Sequence, residues 1–186
     1  MSIPTGPAEG SDVGGSEAVL VRTGRTDPVT ALGAASRGPD DGPLLAVLAT
    51  VPRERLERRL VEAGYDPDES LVVDFVPPSE GPVRDEPGRG HGDVAGLSME
   101  LVGRFDALAE AGGLVYLDSL EPFVSVAGFE SAFRFLVIVA SRARTAGVPL
   151  VARLDPDAVD PVTAGTLAEA FDRVVEGPPD GPSVSD

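Results

Sequence analysis

"GGLVYLDSLEPF" (residues 112–123) is the stretch whose reading decides the fold. An apolar run leads straight into Asp118 and Ser119, and the chain then turns. A run apolar on both faces belongs to a central parallel strand covered by helices on either side. In an open parallel sheet, ligands sit at the carboxyl ends of the strands. The stretch therefore predicts a strand that delivers Asp118 and Ser119 to the ligand-binding end of the molecule.

The pattern repeats on both sides of it. "EAVLVRT" (17–23) reads as a first strand, followed by Asp27 as a helix N-cap and Pro28 at the first helical position. "LLAVLATV" (44–51) is a second strand, and "PRERLERRLVEAG" (52–64) a helix with Leu56, Leu60 and Ala63 inward and Gly64 at its C-terminal end. "SLVVDFV" (70–76) is a third. From Asp93 a helix is expected, with Leu97, Leu101, Phe105 and Leu108 on one face. After the strand that opens this account comes "FESAFRFLVIVASRARTAG" (129–147), a helix whose stripe reads as Phe129, Phe133, Leu136 and Ala140. "FLVIVA" makes it apolar almost all round, as in a deeply packed or interfacial helix. "VPLVARL" (148–154), a helix opened by Asp160 and Pro161, and "RVVE" (173–176) complete the series. Strands alternating with helices specify an α/β three-layer sandwich with a mainly parallel central sheet. Residues 1–16 and 177–186 read as disordered tails around a domain at 17–176, with the Pro/Gly-rich segment 77–93 as a flexible loop.

Composition narrows the functional classes. The net charge is −16, and all 15 basic residues are arginine. A folded, acid-rich chain without lysine fits a protein adapted to molar salt, where a Debye length of about 3 Å screens the repulsion between carboxylates. The melting temperature is then expected to rise steeply with KCl concentration, and a flat response would remove the halophile reading. A GC-rich genome favouring arginine codons is the alternative source of the composition. The acidity argues against nucleic acid as a partner. The Arg-rich run 53–60 is interleaved with Glu54 and Glu57, and Glu54 stands four before Arg58, as in helical ion pairs. No segment reaches the roughly 18 apolar residues of a membrane span. The first residues lack the pattern of a secretory signal, so a cytoplasmic location is expected.

Asp118 could hold a magnesium ion, as an aspartate ending a Walker-B strand does, or simply cap a turn. The partner motif would be a glycine-rich loop ending in Gly-Lys-Ser/Thr after the first strand. "VRTGRTDPVTAL" (21–32) has one glycine before the helix and no lysine, and Asp27 brings a negative charge to where a triphosphate would sit. A receiver-type phosphoacceptor site is excluded as well, since it needs a lysine and an acidic pair. His91, the one histidine, lies in "GRGHGD" and reads as a loop residue rather than a metal ligand. Asp155 and Asp157 read as a turn leading to the next helix cap.

These features, and above all the block 129–176 with its phenylalanine-rich helix, "LDP" turn and "FDRVVE" end, resemble the RecA/KaiC-like ATPase fold. The chain is similar in particular to a group of halophilic archaeal proteins with that fold and no intact P-loop. The resemblance implies a degenerate nucleotide site formed by Thr23, Gly24, Arg25, Thr26, Asp118 and Ser119, with Asp118 as the metal-facing residue. Without the lysine it does not imply ATP turnover. The expectation is a non-catalytic regulatory or interaction module with no cofactor, working through a protein partner or self-association. The alternative is an atypical nucleotide-binding ATPase or nucleotide sensor that takes ATP and magnesium.

Overall fold

The computed structural model describes residues 16–24, 27–66, 68–75 and 93–178. Six strands form one sheet: β1 (Ala18–Arg22), β2 (Leu44–Leu48), β3 (Leu71–Asp74), β4 (Leu114–Leu117), β5 (Leu150–Leu154) and β6 (Arg173–Glu176). The order is β3-β2-β4-β5-β1-β6 and every pairing is parallel. The helices are α1 (Pro28–Ala34), α2 (Arg53–Glu62), α3 (Val94–Val102), α4 (Phe105–Glu110), α5 (Glu121–Ala127), α6 (Phe129–Ala146) and α7 (Pro161–Ala168).

The strand order dictates the layers. From β1 to β2 to β3 the chain steps one way along the sheet, and from β3 through β6 it steps back. Right-handed crossovers then put α1 and α2 on one face and α3 to α7 on the other. The two apolar clusters follow that division. Val19, Val21, Ala46, Leu48, Tyr116 and Val151 pack with Leu32 of α1 and Leu56 and Leu60 of α2. Leu20, Leu45, Val47, Val115, Leu117 and Ala152 pack with Leu97, Leu101, Phe123, Leu136 and Leu167. Successive residues of each central strand alternate between the clusters, as the period of two requires. The three-layer sandwich read from the sequence is the fold observed.

Local signals act as expected at most ends. Asp27 and Asp160 cap α1 and α7, each with a proline at the start of the helix. Gly64 follows the last residues of α2 with φ of 94°, which a side chain would make strained.

Three details differ from the sequence reading. The segment after Asp93 forms two helices, because the chain turns at Gly103 and Arg104, although Leu97, Leu101 and Phe105 stay buried on one side. The turn after Ser119 becomes a seven-residue helix, α5, which Gly128 ends with φ of 79°. The inward stripe of α6 is Ala132, Phe135, Leu136, Val139, Ala140 and Ala143, while Phe129 is 39% exposed. Three alanines on that stripe leave room for close approach of neighbouring elements, α3 and α5 above all. The larger phenylalanines of the expected stripe, Phe129 and Phe133, stack on each other at its edge.

Candidate functional site

Neighbouring strands whose connections leave on opposite faces open a crevice at their carboxyl ends. Here β2 and β4 form one such pair, and β1 and β5 another. Asp118 lies at the first. It extends the sheet by one residue, its amide donating to the Val47 carbonyl at 2.9 Å. Its side chain is fully buried. Oδ2 accepts from the Thr50 amide at 2.9 Å, the Val51 amide at 3.0 Å and the Thr50 hydroxyl at 2.8 Å. The carboxylate therefore ties down the loop that leads from β2 to α2. Oδ1 is buried without a hydrogen-bond partner.

Arg153 binds the two crevices together. It stands in the middle of an apolar strand, 2% exposed, on the face of α1 and α2. Nε donates to the Asp118 carbonyl at 2.7 Å and Nη2 to the Ser119 hydroxyl at 2.8 Å. Nη1 reaches the Thr23 carbonyl at 3.3 Å and Nη2 the Thr50 hydroxyl at 3.5 Å. One guanidinium thus joins the carboxyl ends of β1, β2, β4 and β5. Ser119 donates onward to Glu121 Oε2, and Glu121 Oε1 accepts from the Asp155 amide. Burial pushes the Glu121 carboxyl above its usual range, against the Asp155 amide and the Arg153 charge. One pleat below, the Tyr116 hydroxyl is buried and unpartnered, and burial together with the Asp118 charge raises its pKa.

The structure brings Thr23, Asp118 and Ser119 into this cluster. Thr23 is buried, and a Cβ on Gly177 would lie 2.7 Å from its own Cβ, so the end of β1 is closely covered. Gly24 follows at the surface side of Thr23, half-buried. Arg25 and Thr26, like His91 and residues 77–92 of the expected loop, lie outside the described residues. Asp27 does not reach into the crevice. It caps α1 through the Thr30 amide and hydroxyl and pairs with Arg59 of α2, Nε to Oδ1 at 3.0 Å and Nη2 to Oδ2 at 3.1 Å. The Arg59 hydrogen bonds, opposed by burial and helped by Thr30, hold the Asp27 carboxyl below the usual range. Asp155 accepts from the Asp157 amide at 3.0 Å in the turn before α7, as expected. On α2 the ion pairs are Arg53 with Glu57 and Arg59 with Glu62, in place of the expected Glu54 with Arg58.

For a magnesium ion these residues offer one free carboxylate oxygen beside a guanidinium. Among the described residues no group of three His, Cys, Asp or Glu side chains is placed to hold a metal. That donor set is a poor fit to a divalent ion, which takes several hard oxygens and is repelled by a neighbouring cation.

Arg153, Thr50 and Glu121 escaped the sequence reading. The signal was present in "VARL": an arginine inside an otherwise apolar strand must find acceptors in the interior, since buried charges are paired or hydrogen-bonded.

Fold and site together define an α/β protein with an all-parallel six-stranded sheet, at whose carboxyl ends a set of its own polar side chains is hydrogen-bonded together. Among known families, the chain belongs to the one described as a family of unknown function, DUF7504, whose model matches residues 12–177. No curated protein matches it. No helix among the described residues is long and apolar enough to cross a membrane.

Proposed function

We propose that this chain is a non-catalytic RecA/KaiC-like domain that serves as a regulatory or protein-interaction module in a halophile. The observation that carries the reading is the buried Arg153 and its partners. They stand where an open parallel sheet receives a ligand, and the Arg153 donors are engaged with the strand ends themselves. The all-parallel sheet, with Asp118 at the end of β4, is compatible with the RecA/KaiC-like arrangement. The absence of lysine supports loss of phosphate chemistry. The outer side of α6, with Val137 and Ile138 each 42% exposed, supports a role in protein contact.

The second reading, an atypical nucleotide-binding ATPase or sensor, draws on the unpartnered Asp118 Oδ1. Titration with ATP and magnesium in molar KCl separates the two. The non-catalytic reading expects no binding at millimolar nucleotide. Binding that Asp118→Ala abolishes would replace it with the nucleotide reading.

A further inference from the structure

Glu121 opens α5, yet its carboxylate turns back under the strand ends rather than out to water. Its two oxygens accept from the Ser119 hydroxyl and the Asp155 amide, one from the loop after β4 and one from the loop after β5. Behind Ser119 stands the Arg153 guanidinium, whose Nη2 donates to the same hydroxyl at 2.8 Å. Arg153 is buried, and among the described residues its hydrogen bonds run to carbonyl and hydroxyl oxygens and to no carboxylate. Two neutral donors from neighbouring strand ends therefore converge on one anion, next to a buried cation that contacts no carboxylate among the described residues. Convergent donors beside a fixed positive charge are what bind an oxyanion.

We propose that Glu121 is an intramolecular ligand occupying a subsite for a small oxyanion, and that an external carboxylate enters when this side chain is withdrawn. The proposal deepens the non-catalytic reading and rests on it. The charged groups that act on Glu121 are Arg153 and Asp155. Arg153 makes an anion the favoured occupant over a cation, and Asp155 restricts it to a small one of low charge.

Chemical rescue tests this with formate as the probe. Melting is measured for the wild-type chain, Glu121→Ala and Glu121→Gln in formate and in chloride at equal ionic strength. Glu121→Ala is expected to melt lower than wild type in chloride and to recover at least half of that loss in formate, with a saturable dose response. Wild type and Glu121→Gln, whose side chains still fill the space, should show the same melting in both salts. Equal melting of Glu121→Ala in the two salts would overturn the subsite, as would an equal formate shift in all three chains. Should Glu121→Ala fold only marginally, the ¹³C linewidth of formate titrated with Glu121→Ser reads binding directly. Saturable broadening supports the proposal and its absence overturns it. Nucleotide binding by the wild-type chain is a separate measurement, so loss of the non-catalytic reading and loss of the subsite are told apart.

Discussion

Two aspartate–arginine assemblies in this molecule use nearly the same parts in opposite surroundings. At the surface, Asp27 accepts from a threonine hydroxyl at 2.8 Å and from that residue's amide at 3.3 Å, and Arg59 grips both its oxygens. In the interior, Asp118 also accepts from a threonine hydroxyl at 2.8 Å and from that residue's amide at 2.9 Å, but Arg153 binds its main-chain carbonyl instead of its carboxylate. The side chain of Arg59 is 41% exposed, whereas Arg153 as a whole is 2% exposed. The partners look alike, and water decides what they contribute. Near solvent each group can exchange its partner for water, so the pair adds little. Inside, each group left without a partner keeps the full cost of its desolvation.

The largest test of this contrast is Arg153→Met. It keeps much of the volume but takes away the guanidinium that donates to the Asp118 and Thr23 carbonyls and to the Ser119 hydroxyl. Breaking a buried charged network of this kind costs roughly 3–5 kcal/mol. Urea denaturation should show that loss almost unchanged between low salt and molar KCl, because a buried cluster is weakly screened. A loss under about 1 kcal/mol would put Arg153 in the surface class with Arg59.

The next effect is smaller. Asp27→Ala removes the N-cap of α1 and should cost about 1 kcal/mol. Its ion pair with Arg59 is exposed, so the cost should shrink as KCl screens the pair, unlike the nearly salt-independent cost of Arg153→Met. Acid provides a second check. Arg59 and Thr30 hold the folded carboxyl of Asp27 below 3.8 despite its burial. A lowered carboxylate stabilises the fold above its unfolded value and loses that contribution as pH falls through the folded one. The difference between wild type and Asp27→Ala should therefore narrow below about pH 4. A difference that stays constant down to pH 2 would detach the cap from the charge of Asp27.

The same contrast explains what was legible in the sequence. Strands such as "LLAVLATV" and "VPLVARL" announce themselves because burial on both faces admits little but apolar residues, and Asp27 and Asp160 mark helix starts through local hydrogen bonds. Thr23, Asp118 and Ser119 were legible for a related reason, since each directly follows an apolar strand. Arg153, Thr50 and Glu121 are separated by tens of residues in the chain, and only the order β2-β4-β5-β1 brings them together. That order is set by long-range pairing, which local periodicity does not encode. The inward stripe of α6 was misread for a packing reason. Leu136 and Ala140 of the expected stripe do face inward, but hydrophobicity ranks Phe129 and Phe133 above Ala132 and Ala143, which the buried face takes instead.

The smallest effect lies between the two assemblies, at Glu121, which is half-buried near the rim whereas Asp118 is fully buried. Burial raises its folded carboxyl above 4.5, against the Asp155 amide and Arg153. A raised carboxyl contributes stability that is complete below the unfolded value and is lost as pH rises through the folded one. Glu121→Gln cannot ionise and keeps the shape of the side chain. Relative to wild type, the variant should therefore gain stability as pH rises above about 4.5, and then level off once Glu121 is fully ionised in both folded and unfolded chains. Denaturation curves collected between pH 4 and 8 read this directly. A variant that instead loses ground over that range would mean that Ser119, the Asp155 amide and Arg153 together favour the charged form. Glu121 would then belong with Asp27, as an anion held by its partners more strongly than burial opposes it.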